Sequence, residues 1–228
     1  MELRGAGVSN FVGDDPFPAE DFDLWADTYD TSVATNRGFP FDGYTQVLDL
    51  LVQLTDAKPG MHILDLGTGT GQLAERFDAL GCNLWCTDFS EAMLAKARRR
   101  LPKAHFARHD LRQAWLSEWQ SPFERIVSAY VFHHFEDHQK IELMKTFAHD
   151  LLAPGGSLLI ADISFRTSEE MAEARLIAGQ DWEEELYWVA ENILPRLQAA
   201  GLSTAYHQVS YCAGVYYIQP RTEARIRY

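Results

Sequence analysis

Apolar residues recur along the chain in two periods, and the change from one to the other divides it. Phe22, Trp25 and Tyr29 fall at i, i+3 and i+7, which puts three aromatic rings on one face of a predicted helix running from Ala19 to about Thr31. Gly38 and Pro40 break that pattern. Phe41, Tyr44, Val47, Leu48, Leu51 and Val52 then form a second amphipathic helix, which ends before Pro59-Gly60. From Met61 onward short apolar runs alternate with helical ones. Strands are predicted over Met61–Leu66, Asn83–Thr87, Ala104–Arg108, Phe123–Tyr130 and Ser157–Ile163. Between them lie helices over Gln72–Leu80, from a Ser90 cap to about Arg100, and from Asp137 to about Leu152. Trp115 and Trp119 sit in a loop or short helix, and Pro154-Gly155-Gly156 makes a tight turn before the fifth strand. Such alternation calls for an α/β fold with a parallel sheet and helices on both faces.

The last third departs from that rhythm. Ser168–Ala178 and Trp182–Ala200 read as helices, the second divided by Pro195. Ser203–Cys212 and Gly214–Gln219 read as strands joined by too few residues for a crossover, so the pair is antiparallel. Residues 1–18, with three glycines, two prolines and no periodicity, read as a mobile tail, and 221–228 as a second.

Composition narrows the function. The chain has 228 residues, a mass of 25.9 kDa and a net charge of −13, the wrong sign for a phosphate backbone. Its one basic cluster, Lys96, Arg98, Arg99 and Arg100, lies late on a predicted helix, where cations complement the dipole. Nucleic acid is therefore not expected as a partner. No apolar run approaches the roughly 20 residues of a membrane span, and the first residues lack a secretory pattern; a cytoplasmic location is expected. Cys82, Cys86 and Cys212 form no CxxC pair and read as reduced thiols.

Candidate chemistry centres on Asp65-Leu66-Gly67-Thr68-Gly69-Thr70-Gly71, at the end of the first core strand. Glycine lets a ligand lie directly on backbone, and the helix after the turn directs unpaired N–H groups toward it. Read from Gly69, the spacing also fits a dinucleotide fingerprint, Gly69-Thr70-Gly71-Gln72-Leu73-Ala74. Asp65 would oppose a pyrophosphate but suits a ligand bearing an ammonium group. Asp88, 21 residues after Gly67, places acceptors where ribose hydroxyls would lie, and Asp110 follows the third strand, where it could accept from an adenine amino group.

With these residues the sequence resembles the class I S-adenosylmethionine-dependent methyltransferases, from about Phe22 to the closing hairpin. Trp25-Ala26-Asp27-Thr28-Tyr29-Asp30, Phe132-His133-His134-Phe135 and Ala161-Asp162 resemble a subfamily of small bacterial methyltransferases. The resemblance implies a three-layer, Rossmann-like fold with a mostly parallel seven-stranded sheet and a C-terminal antiparallel hairpin. It implies that residues 19–58 form a helical lid over a cofactor domain of 59–220. The implied S-adenosyl-L-methionine site comprises Tyr29, Asp65, Gly67, Gly69, Asp88, Phe89, Asp110, Leu111 and Ala129. The expected reaction is in-line methyl transfer to O, N or S of a small-molecule acceptor. An NAD-dependent oxidoreductase and a non-catalytic adenosyl-binding regulator are the alternatives.

Transfer from an activated methyl needs alignment and exclusion of water more than covalent help. His133, after the fourth strand, is the preferred candidate for a general base, since a histidine there could take a proton near neutral pH. A structural or cofactor-shaping role for the His133-His134 pair is the alternative reading and the more expected one. His133, His134 and His138 lack the Cys or acid spacing of a zinc signature, so no metal is expected. Trp182, Tyr187, Trp188, Tyr206, Tyr211, Tyr216 and Tyr217 read mainly as packing. Asp181, Glu183, Glu184 and Glu185 read as a solvated helix start.

Overall fold

Alternating burial along each core strand sets the architecture. In the computed structural model, which describes residues 17–35, 37–119 and 122–221, Ile63 and Leu64, Ile126 and Val127, and Leu158 and Leu159 send successive side chains into two separate apolar clusters. A strand buried on both faces must lie inside a sheet covered on both sides.

Two short helices, α1 (Ala19–Trp25) and α2 (Tyr29–Thr35), precede α3 (Tyr44–Thr55). The core then runs β1 (His62–Leu66), α4 (Gln72–Ala79), β2 (Asn83–Asp88), α5 (Glu91–Arg100) and β3 (His105–Arg108). It continues with β4 (Phe123–Ala129), α6 (Asp137–Thr146), a π-turn at Phe147–Leu151, and β5 (Leu152–Phe165). The remainder is α7 (Ser168–Ala178), β6 (Trp188–Val189), α8 (Ala190–Ala199), β7 (Leu202–Gln208) and β8 (Ala213–Pro220).

The main sheet has the order β3-β2-β1-β4-β5-β8-β7, and the two-residue β6 pairs with the far end of β5. All pairs are parallel except β5–β8 and β7–β8. This is the Rossmann-like arrangement with a closing antiparallel hairpin that the sequence predicts. Gly214 is required in that hairpin, because a Cβ there would lie 2.6 Å from the Tyr206 hydroxyl. One face carries α3 and α4 through Leu48, Leu51, Leu73 and Phe77; the other carries α6 and α8 through Met144, Ile193 and Leu197. Ser90 caps α5 as predicted, its Oγ accepting from Met93 N at 3.1 Å.

Three expectations need correction. The first helix is two, because Ala26–Thr28 turn between α1 and α2. Pro154-Gly155-Gly156 lies within β5 as an irregularity opposite Phe123–Arg125, rather than as a turn before it. Trp182–Val189 is not helical: a turn at Gly179–Asp181 ends α7, and an extended segment leads into β6. The three cysteines are free and buried. Among the described residues no helix is long and apolar enough to cross a membrane. Residues 1–18 and 221–228, read as tails, lie outside the described residues apart from Phe17, Pro18 and Arg221.

Candidate active site

The carboxyl ends of β1 and β4 open on one cleft, where an open α/β sheet places its ligands. Gly67, Gly69 and Gly71 turn the chain there with φ of 66°, 54° and 88°. At Gly67 a Cβ would stand 2.4 Å from Val131 Cγ2, so that glycine is dictated by packing. At Gly69 a Cβ would meet nothing within 4 Å, so that glycine forms a bare floor. Asp65, Gly67, Gly69 and Ala129 line this cleft, with Tyr29 from α2 and Tyr44 from α3 at its edge.

Two buried acids flank the floor. The Asp65 carboxylate accepts from Thr68 Oγ1 at 2.7 Å, and among the described residues no cation pairs with it. Burial pushes its pKa up to about 7 against the lowering effect of Thr68, and the charge of Asp88 adds to the rise. Asp88 accepts from Gly69 N at 2.8 Å and Ser90 N at 2.9 Å. Burial raises it to about 6 even so, and Asp23 contributes. Two carboxylates held this way favour a ligand that brings a positive charge and hydroxyl donors.

A second cleft of about 500 Å³ lies beyond Asp88, lined by Phe89, His109, Asp110 and Arg112 with Pro18 and Glu20 opposite. Phe89 packs at a tilt against Phe22 of α1, with ring centroids 4.9 Å apart. Asp110 folds back as an Asx-turn, accepting from Arg112 N at 2.9 Å, and holds the Arg112 guanidinium through both oxygens. A ligand amino group there would share that carboxylate with Arg112. Leu111 is buried in the apolar cluster with Leu66 and Phe132. A ligand touching all the acids has to span both clefts past Asp88. The residues present suit one with a cationic end, a diol and a flat aromatic group.

The N-terminal helices are fastened over this floor. Asp30 accepts from Thr70 Oγ1 at 2.5 Å, Gln72 Nε2 at 2.9 Å and Arg100 Nη2 at 2.6 Å. Burial raises its pKa, but these three bonds outweigh it and leave the carboxyl below its usual value. Asp23 of α1 accepts from Ser90 Oγ at 2.5 Å and Ala92 N at 3.1 Å. Arg100, assigned from sequence to a helix dipole, thus also works as a latch. Burial holds the Tyr29 phenol well above the ordinary tyrosine range and pushes the Tyr44 phenol up to about 12.

His133 lies on a short turn after β4 and lines neither cleft. Its Nδ1 lies 2.5 Å from Asp162 Oδ1, on β5. The other Asp162 oxygen accepts from Trp188 Nε1 at 3.0 Å, and Ile163 N donates to Oδ1 at 2.8 Å. Burial drives the His133 pKa down, but Asp162 and Glu185 outweigh it and the net shift is upward. Neighbouring His134 goes the other way, depressed by burial, His133 and Arg112. Glu185 Oε2 lies 3.8 Å from His133 Nε2. Leu186 N donates to the His133 carbonyl at 3.0 Å, tying the extended segment to this turn. Sequence reasoning missed Glu185 because it treated the acidic run as a helix start. It also missed Tyr44 and Thr68, whose roles depend on where helix and turn meet.

Comparison with known proteins gives a consistent answer. Residues 63–156 match the methyltransferase domain family. An uncharacterized methyltransferase of Bacillus pumilus is 30% identical over 203 residues, covering 83% of this chain and 91% of its own. One from Geobacillus kaustophilus is 30% identical over 202 residues, covering 82% and 89%. The solved complex of DhpI with SAH superposes with a TM-score of 0.68 at 20% identity, covering 90% of this chain and 96% of that one.

Proposed function

The chain belongs to the S-adenosylmethionine-dependent methyltransferase family, and from that membership we propose that it methylates a small-molecule acceptor at O, N or S. One observation carries the site reading: a bare glycine floor at Gly69 between two buried acids that, among the described residues, no cation neutralises. Asp65 would hold the ammonium end of S-adenosyl-L-methionine, Asp88 its ribose, and Phe89 and Asp110 its adenine. Gly67, Gly69 and Ala129 would form the floor. Leu111 would support that wall from the core. When bound, this cofactor supplies a methyl group already activated on a sulfonium.

The rest of the work falls to the chain. Tyr29 and Tyr44, on helices latched through Asp30 and Arg100, would close the cleft and keep water from the reacting atoms. Asp162 fixes the His133 ring, so that Nε2 is the nitrogen free to take a proton from the acceptor. The extended segment brings the Glu185 carboxylate to 3.8 Å from His133 Nε2. The acidic net charge of −13, which disfavours a nucleic-acid acceptor, supports a small one.

Calorimetry with S-adenosyl-L-methionine, S-adenosyl-L-homocysteine and NAD tests the cofactor assignment. Both adenosyl ligands should bind and NAD should not. Asp88→Ala should weaken them by more than 10-fold, as loss of a charge-assisted bond of about 1.5–3 kcal/mol implies. Release of S-adenosyl-L-homocysteine against a metabolite panel would then identify the acceptor; a folded sample that binds neither adenosyl ligand would sink the proposal.

A further inference from the structure

We propose that His133, His134 and Glu185 bind one divalent transition-metal ion of the zinc type, a site separate from the glycine floor and independent of the methyl-donor reading. Each of the three side chains offers one ligand atom, and these atoms lie within 4.8 Å of one another. Two imidazoles and one carboxylate are a donor set suited to zinc, with positions left open for water or an acceptor heteroatom. A closed tetrahedral site has ligand atoms about 3.3 Å apart at ordinary zinc bond lengths. Binding would therefore draw the Glu185 carboxylate inward from its extended segment.

Three further observations point to a ligand here. First, the shell outside the ligands is already built. Asp162 accepts from His133 Nδ1 and leaves the Nε2 lone pair facing Glu185, 3.8 Å away. Asp162 is itself fixed by Trp188 Nε1 and Ile163 N. A carboxylate behind a ligating histidine is the usual way a protein sets the tautomer and aim of the ring. Second, His134 Nδ1 is buried without a hydrogen-bond partner, an arrangement that costs free energy unless something completes it. Third, the nearby cation is occupied elsewhere. Lys140 Nζ donates to the Leu186 carbonyl and lies 5.1 Å from the Trp188 ring centroid.

An ion here would alter the chemistry assigned to His133. Its Nε2 lone pair would bind metal instead of a proton. An acceptor hydroxyl or thiol at an open position would then be acidified by the ion and lose its proton to solvent. Sequence spacing missed the site because Glu185 lies far along the chain from the histidine pair.

The test uses the full chain, stripped with chelator and titrated with zinc chloride by calorimetry at about pH 7.5. Cobalt(II) serves as a visible-absorption probe of the ligand set. The expected result is one ion per chain, weakened at least 100-fold by Glu185→Gln and by His134→Ala. Asp162→Asn should weaken it about 10–100-fold, the usual effect of losing an outer-shell partner. Glu185→Gln should still bind S-adenosyl-L-homocysteine, which shows that its fold persists. Absence of stoichiometric zinc binding would overturn the proposal, as would binding that both variants leave unchanged. Failure of the adenosyl ligand to bind would count against the cofactor reading alone.

Discussion

Replacing Asp65 by Asn should make the ligand-free protein more stable and its cofactor site worse. Asp65 is buried, its carboxyl is raised from 3.8 to about 7, and its one side-chain donor is Thr68 Oγ1. Because the folded-state pKa lies above the unfolded one, folding favours the protonated form. Stability from this group is complete below about pH 3.8 and is lost as pH rises through about 7. Three units at 1.36 kcal/mol each give a cost near 4 kcal/mol once Asp65 is ionised. Asn keeps the shape and the oxygen that accepts from Thr68, but it cannot ionise. Its advantage over the parent should therefore widen by about 2–3 kcal/mol between pH 5 and 8. For a chain of this size that corresponds to roughly 5–10 °C in melting temperature. Urea titrations at several pH values, with scanning calorimetry, would measure it. The same substitution should weaken S-adenosyl-L-homocysteine at least 10-fold, because its ammonium group loses a buried counter-charge. A stability gap that stays flat with pH, or unchanged affinity, would refute the reasoning.

Two glycines in one turn should fail differently. Gly67→Ala drives a Cβ to 2.4 Å from Val131 and should cost about 2–4 kcal/mol in denaturant unfolding. Gly69→Ala meets no atom within 4 Å and should cost about 1 kcal/mol for its positive φ, yet weaken the adenosyl ligand more than 10-fold. Asp30→Ala or Arg100→Ala should speed ligand release at least fivefold in stopped flow, with stability changed by under about 1 kcal/mol for a part-exposed pair. Asp162→Asn should lower the His133 titration midpoint in imidazole NMR, since burial already pushes it down and Asp162 is the leading opposing influence. In the parent, that raised histidine contributes stability below its unfolded pKa and loses it as pH climbs through the folded one; the variant should lack this dependence.

The signals that place the glycine turn and its two buried acids together are local. Asp65, the glycines, Asp88 and the Ser90 cap lie within 26 residues of each other, and each has a short-range physical reason. The hairpin was legible for a similar reason, since its joining residues are too few for a crossover. The segment from Trp182 to Val189 was not. Its acidic residues mimic a helix start, but Leu186 is captured by the His133 carbonyl and Trp188–Val189 by the end of β5. Tertiary pairing overrode local preference there. Arg100 gave a helix-end signal that was true but incomplete, because its partner Asp30 is 70 residues away. The Asx-turn at Asp110 is local too, yet one sequence pattern serves both a turn and a ligand acceptor.

The way the segment before β6 is held gives the enzyme two separable inheritances. A backbone bond from Leu186 N, the Lys140 ammonium on the Leu186 carbonyl and a two-residue ladder on β5 tie it down, while the glycine floor is built from the turn after β1 and the end of β4. Exchanging residues 182–187 should therefore redraw what the protein accepts without disturbing what it donates. The family match, which spans residues 63–156, covers the glycine turn and the two buried acids and stops short of this segment. Relatives can thus keep a recognisable methyl-donor signature while their acceptors diverge, and a library confined to these six positions would be the direct way to retarget the enzyme.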